Sequence, residues 1–150
     1  DLQHTERVHF TDRSLALDIE GNAGDMFRLY QAALDRGGDL EGLGYWINLH
    51  DNGTALVHIA QGFIESAEFN ARLGDAQQNS AFVSALYQNV LGRQGEEGGV
   101  AYWLAALESQ MTQRNSVLVN FSESAENRAN VAEEISQGIG YTPWEMVEIA

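Results

Sequence analysis

The sequence predicts a mainly α-helical fold, built as a tandem pseudo-repeat of two roughly four-helix units with a short N-terminal β-hairpin. Three observations predict it. Apolar residues recur at helical spacing from Asn22 onward. The strings LYQ and GLGYW in the first half return as LYQ and GGVAYW in the second. Residues 1–21 alternate between apolar and polar side chains instead, as short strands do.

The predicted hairpin lies in residues 1–21, where TDRS supplies the turn chemistry. Its apolar positions are Val8, Phe10, Leu15, Leu17 and Ile19. A lone hairpin is only marginally stable in water. We therefore expect it to dock on the helices or to belong to the sheet of an upstream domain. The opening residues DLQHTERVHF carry no apolar signal core, so the chain reads as a piece of a longer protein with flanking domains.

The first helical repeat is predicted over residues 22–76. Gly37 and Gly38 end its first helix, and Gly53 ends its second. Thr54 begins a third helix, and Ser66 caps a short fourth.

The second repeat is predicted over residues 77–135 and follows the same order. Pairs shifted by 57 residues are Tyr30/Tyr87 and Trp46/Trp103, and pairs shifted by 58 are Thr54/Thr112 and Phe63/Phe121. One inserted residue between 103 and 112, in a predicted loop, accounts for the change in shift. Residues 136–150 are predicted to be an appendage in which Pro143 opens one more turn.

Charge and composition limit the classes of partner that the chain can bind. The chain has 22 acidic and 8 basic residues, a formal net charge of -14, and no cysteine. Its surface repels phosphate backbones and anionic lipids, so we expect no nucleic-acid partner. The acidity suits high salt, calcium-rich surroundings or simply solubility. Disulfides and cysteine-ligated zinc are excluded, and no segment is apolar for long enough to insert across a membrane.

The repeated aromatic pairs are the candidate ligand-binding residues: Tyr45, Trp46, Tyr102 and Trp103. Trp46 falls in phase with the apolar stripe of its helix, which favours packing in the core, whereas Tyr45 falls nearer the boundary. The alternative is an aromatic platform for sugar rings.

The loop LDRGGDLEG is the candidate calcium site, with Asp35, Asp39 and Glu41 as its carboxylate ligands. Calcium is the one cofactor that the sequence suggests. The alternative is that Asp39, like Glu96 in the second loop, simply caps a helix. Arg36 and Arg93 recur in these loops and are predicted either to pair with a carboxylate across the repeats or to cap a helix end.

Catalytic patterns are missing from the sequence. It has no GxSxG elbow and no phosphate loop, and its four histidines form no ligand pattern. We therefore expect a non-enzymatic protein.

The paired strings LYQAALDRGGDLEGLGYW…IAQGFIESAEF and LYQNVLGRQGEEGGVAYW…VLVNFSESAEN closely resemble the bacterial domain of unknown function 4214 (DUF4214) family. The resemblance covers about residues 25–130. The chain departs from the family motif at Gly38 and Gly95, where a proline is common. The segment VHFTDRSLALDI also resembles the strand segment that often precedes this domain.

The resemblance implies where the protein is located more than what it does. The family occurs in large secreted bacterial proteins, commonly with RTX calcium-binding repeats, and in surface-layer-like or adhesin-like chains. It implies extracellular or cell-surface localisation and export by a type I system. The expected function is a non-catalytic binding or assembly module contacting glycan or protein. The alternative is a structural spacer that supports a neighbouring RTX or catalytic domain.

Overall fold

A computed structural model describes residues 7–10, 14–34, 40–73 and 78–142. These residues form three short strands and eight helices. The strands are β1 (Arg7–His9), β2 (Ser14–Ala16) and β3 (Ile139–Tyr141). The helices are α1 (Asn22–Leu34), α2 (Leu40–Asp51), α3 (Leu56–Ile64), α4 (Ala67–Leu73), α5 (Asn79–Leu91), α6 (Glu97–Glu108), α7 (Arg114–Ser122) and α8 (Ala125–Ile135).

The predicted pseudo-repeat is confirmed by the positions of the helices. The first and second helices of each half begin 57 residues apart, at 22 and 79 and at 40 and 97. The third and fourth begin 58 apart, at 56 and 114 and at 67 and 125. The extra residue lies in the loop between α6 and α7, which spans 109–113 where its counterpart spans 52–55. Trp46 and Trp103 accordingly occupy equivalent helices.

The two repeats share one hydrophobic core because like helices pack against each other. Helix α3 lies against α7, and α1 lies against both α5 and α7. Fully buried side chains from both halves meet there, including Met26, Ile59, Phe82 and Leu118. One continuous cluster of buried residues runs from Ala16 to Tyr141. The halves are therefore built as a single packed unit.

The hairpin is confirmed, but the sheet has a third strand that the sequence pattern did not reveal. β1 pairs antiparallel with β2, and β2 pairs antiparallel with β3 from the C-terminal end. The segment predicted as an appendage thus contributes Ile139 and Tyr141 to the core. A three-residue strand carries too little alternation to be recognised from sequence. Pro143 lies outside the described residues.

The face of β2 that packs on the helices carries small and polar side chains, and the leucines lie on the opposite face. Ser14, Ala16 and Asp18 are buried, whereas Leu17 is 44% exposed. Leu15 and Leu17 lie instead on the face occupied by Gly138. The reason is Asp18, whose carboxylate accepts a hydrogen bond of 3.1 Å from the Ala23 N–H at the start of α1. A helix N-terminus favours such an anion.

Arg7 and Gly24 fix the hairpin on the helical body. Arg7 donates to both oxygens of Asp18, at 2.6 and 2.7 Å, and also to Asp51 at the end of α2. Gly24 lies so close to the backbone that a Cβ there would fall 1.9 Å from the Ile19 carbonyl oxygen. The hairpin therefore docks on the helices, which is the first of the two arrangements expected from the sequence.

We expect Asp18→Asn to lower the free energy of unfolding by roughly 2–3 kcal/mol at pH 7, as the loss of hydrogen bonds between charged groups does. Burial raises the pKa of Asp18, but the hydrogen bonds from Arg7 and Ala23 outweigh it and hold the pKa below its usual value. The stabilisation is therefore complete above about pH 4, the pKa of an unfolded Asp, and is lost as the pH falls through the lower folded pKa.

Urea denaturation of both proteins between acidic and neutral pH measures this effect. The difference in unfolding free energy should shrink as the pH drops. A difference that stays constant down to the lowest pH would show that the Asp18 carboxylate does not supply the stabilisation.

Candidate functional site

Each repeat contains the same four-ring aromatic cluster. In the first, Phe63 contacts Trp46 at 4.9 Å and Tyr30 at 5.5 Å between ring centroids. In the second, Phe121 contacts Trp103 at 5.8 Å and Tyr87 at 4.9 Å. Tyr45 and Tyr102 complete the clusters by edge contacts of 4.8 and 5.0 Å with their neighbouring tryptophans. The repeated aromatic pair is thus one side of a repeated packing unit.

The four predicted ligand-binding rings differ in their exposure. Trp46 and Trp103 are half-buried and pack against the edge of the core, to which the sequence pattern assigns Trp46. Tyr45 is also half-buried, whereas Tyr102 is 64% exposed. Packing accounts for the tryptophans. A platform for sugar rings stays a prediction, and Tyr102 is the most accessible ring of the four.

Tyr87 explains two glycines, Gly99 at the start of α6 and Gly95 in the loop before it. A Cβ at Gly99 would lie 2.5 Å from the Tyr87 hydroxyl, and a Cβ at Gly95 would lie 2.6 Å from its ring. This close packing desolvates the phenol, which raises the pKa of Tyr87 above its ordinary value. Gly98, by contrast, faces open space.

A network of charged groups joins the repeats around Arg28, which is only 3% exposed. Arg28 donates to both carboxylate oxygens of Glu123, at 2.7 and 2.8 Å, and to Asp25 at 2.9 Å. Arg128 donates to the same Glu123 at 2.8 Å. Burial raises the pKa of Glu123, and the hydrogen bonds from Arg28 oppose that shift. Three donors on one carboxylate leave it little capacity for proton transfer to a ligand.

The recurring Arg93 pairs within its own repeat. It donates to both oxygens of Glu126, at 2.8 Å each, and to Glu96 at 2.7 Å. These hydrogen bonds lower the pKa of both carboxylates. Glu96 does occupy the N-cap position of α6, but its side chain makes no capping bond because Arg93 holds it. Neither Arg93 partner lies across the repeats, and Arg36 lies outside the described residues.

The repeated ESAE string is a pair of helix caps, as its residues predict. Ser66 accepts a hydrogen bond from the Phe69 N–H and Ser124 accepts one from the Asn127 N–H, both at 3.2 Å. Each serine stabilises the start of the fourth helix of its repeat. Helix capping therefore explains why this string is repeated, without any catalytic or binding role.

The predicted calcium ligands are not placed by the structure. Asp35 and Asp39 lie outside the described residues, and so does the side chain of Glu41. Among the residues that are described, no three His, Cys, Asp or Glu side chains converge as a metal site would require. Calcium at the LDRGGDLEG loop stays a prediction.

A polar cleft of about 400 Å³ lies where α1, α5 and α8 meet. Its lining includes five carboxamide side chains: Gln31, Gln88, Asn89, Asn127 and Asn130. Gln31 and Gln88 are the glutamines of the two LYQ strings, so each repeat contributes the same residue to one site. A cleft of this size is within the range of small-molecule pockets.

Gln31 is the residue of the cleft whose hydrogen-bonding groups are not all satisfied within the described part of the chain. Its amide nitrogen donates to Glu134 across 3.4 Å, whereas its oxygen Oε1 is buried without a hydrogen-bond partner among the described residues. An unpaired buried acceptor costs about 1–3 kcal/mol. Exchanging the amide oxygen and nitrogen would set two oxygens against each other at Glu134, so the orientation as described is the better one. A donor from a ligand would satisfy this oxygen after a small side-chain rotation.

A second cavity of about 350 Å³ adjoins the first through Gln88, which lines both. Its other lining residues are Ser84, Arg93, Gln94, Gly95 and Val100. The two cavities, one on either side of the shared Gln88, make up one polar region of the surface. We call this surface the amide cleft.

Sequence reasoning missed the amide cleft. The repetition of LYQ was the available signal, but amides have no motif spacing comparable to that of metal ligands or catalytic triads. Their convergence depends on how α1, α5 and α8 pack, which periodicity does not specify.

Comparison with protein families agrees with the repeated architecture. The family described as "Domain of unknown function (DUF4214)" matches at residues 26–72 and again at 60–131. The chain belongs to the DUF4214 family. Both LYQ strings, both aromatic pairs and both ESAE caps lie inside the matched DUF4214 residues. No curated protein and no solved structure matches the chain. Within the described part of this DUF4214 chain, no helix is both long and apolar enough to cross a membrane.

Alanine substitutions at the two adjacent glycines of α6 are expected to change the free energy of unfolding in opposite directions. Gly99→Ala should lower the free energy of unfolding by about 1–3 kcal/mol, because the new methyl group overlaps Tyr87. Gly98→Ala should raise it by about 0.5 kcal/mol, because alanine is the better helix former and meets open space. Chemical denaturation of the two variants measures both. Equal effects at the two positions would contradict the packing role assigned to Tyr87.

Proposed function

We propose that this chain is a non-catalytic binding or assembly module of a secreted or cell-surface bacterial protein, contacting glycan or protein. The observation that carries the proposal is the amide cleft at the junction of the repeats. It gathers hydrogen-bonding groups from three helices and leaves the buried Gln31 oxygen without a partner. Polar groups that cost stability are typical of sites kept for binding.

The charges of the fold support binding over catalysis. All six arginines that the structure describes already donate to acceptors within the chain: Arg7, Arg28, Arg72, Arg93, Arg114 and Arg128. The side chains that line the first cavity include no carboxylate, histidine or lysine to move a proton. Amides bind and orient, but they are poor acids and bases.

The extracellular setting is part of the same proposal. A net charge of -14 and the lack of cysteine are compatible with export by a type I system into calcium-rich surroundings. Calcium at Asp35, Asp39 and Glu41 would then accompany the binding function.

A structural spacer is the second candidate, and one observation favours it. Apart from the exposed Tyr102, the rings of the aromatic clusters serve packing and the ESAE serines serve capping, so most of the repeated sequence has a structural explanation. A spacer would use the repeats only to hold neighbouring domains apart.

A glycan array combined with a set of bacterial surface proteins separates the two candidates. We expect the 150-residue chain to bind at least one glycan or protein saturably, with equal signal from the control variant Gln61→Met. Gln61 also donates to a glutamate, Glu65, but lies outside the cleft. A complete lack of saturable binding, with the chain folded, would favour the spacer.

A further inference from the structure

We propose that the amide cleft binds an uncharged oligosaccharide, which Gln31 and Gln88 contact through their carboxamides. The inference rests on the proposed binding function and names its site and ligand class. Its starting point is that both LYQ glutamines line one cavity, one from each repeat.

Carboxamides suit sugar hydroxyls. A hydroxyl both donates and accepts hydrogen bonds, and a carboxamide offers an acceptor oxygen beside a donor nitrogen. Five such residues line the cleft, of which Asn127 is buried and already donates to the Ser122 carbonyl, and the half-buried Val90 adds an aliphatic surface for the C–H face of a ring. Among the described residues no group donates to the buried Gln31 oxygen, and a hydroxyl would supply that donor once the side chain rotates toward the cleft.

The charge of the ligand follows from what surrounds the cleft. The first cavity has no cationic side chain in its lining, and the only arginine of the second, Arg93, is already held by Glu126 and Glu96. An acidic sugar would meet no unpaired cation in these cavities and would enter a chain with a net charge of -14. A cationic ligand would meet no carboxylate among the lining residues. The site therefore favours a neutral ligand.

The size and shape of the site favour an oligosaccharide over a peptide. Two cavities of about 400 and 350 Å³ share Gln88 as a lining residue, and each is large enough for a sugar ring. The lining comes from helices and the loop after α5, so it offers no open strand edge for an extended peptide to pair with. It also holds no deep apolar pocket for a large side chain, since its apolar residues are aliphatic.

The test is titration of the ¹⁵N-labelled chain, observed by NMR, because side-chain NH₂ groups of Asn and Gln give their own signals. The probes are the neutral trisaccharides maltotriose, cellotriose, mannotriose and triacetylchitotriose, the acidic trigalacturonate, and the uncharged peptide acetyl-AQANA-amide. Each is raised to about 20 mM, since a site without an aromatic platform is expected to bind in the millimolar range. We expect at least one neutral trisaccharide to shift the Gln31 and Gln88 signals saturably.

Substitution in the cleft links binding to these residues. Gln31→Met and Gln88→Met should each weaken trisaccharide binding at least about tenfold, the effect of losing one good hydrogen bond. Gln61→Met should bind as the parent chain does. Gln31→Met should also keep or raise the melting temperature, because methionine removes the unpartnered buried oxygen. That combination excludes unfolding as the cause of weaker binding.

The remaining outcomes each overturn the inference. Saturable glycan binding that shifts signals near Tyr102 and survives Gln31→Met would place the site elsewhere and leave the proposed function standing. Binding of the peptide or of trigalacturonate alone would refute the ligand class. No shift with any probe would refute the site. The binding function itself would be refuted only if the chain also bound nothing on the glycan array and none of the surface proteins.

Discussion

The ion pair between the buried Arg28 and the half-buried Glu123 is the interaction on which the rest of the structure depends. Arg28 lies in α1 of the first repeat, and Glu123 follows α7 of the second, 95 residues away. The same guanidinium donates to the Ile19 carbonyl, and Arg128 extends the pair to Glu20. The hairpin, α1 and the α7–α8 corner are thereby held in one register, and that register brings Gln31 beside Asn127.

Energetics suggest that the pair specifies the arrangement more than it adds stability. Burying two charges costs several kcal/mol, which their attraction and hydrogen bonds roughly repay, whereas leaving one of them alone is strongly unfavourable. Like helices of the two repeats could otherwise slide past each other, since their apolar faces are similar. We infer that Arg28 and Glu123 exclude such slipped packings, because a shift would leave the buried Arg28 with only Asp25 of its own helix as a charged hydrogen-bond partner among the described residues.

Sequence periodicity predicted the local structure well. The features that it missed depend on contacts between residues that are far apart in the sequence. Helix spacing, the shift from 57 to 58 residues and the ESAE caps are local patterns, so they were readable. Arg28 interrupts the apolar string MFRLY and its repeat counterpart is Ala85, but nothing nearby indicates Glu123 as its partner. The third strand is three residues long, and the amide cleft exists only after α1, α5 and α8 have packed.

A double-mutant cycle on Arg28→Met and Glu123→Gln, followed by urea denaturation, tests the central claim most directly. Each single variant should lower the free energy of unfolding by roughly 2–3 kcal/mol, because Arg28→Met removes both charged hydrogen bonds to Glu123 and Glu123→Gln removes the negative charge that accepts them. The double variant should lose much less than the sum, with a coupling of at least about 2 kcal/mol. Additive losses, within about 0.5 kcal/mol, would contradict the claim that this pair joins the two repeats.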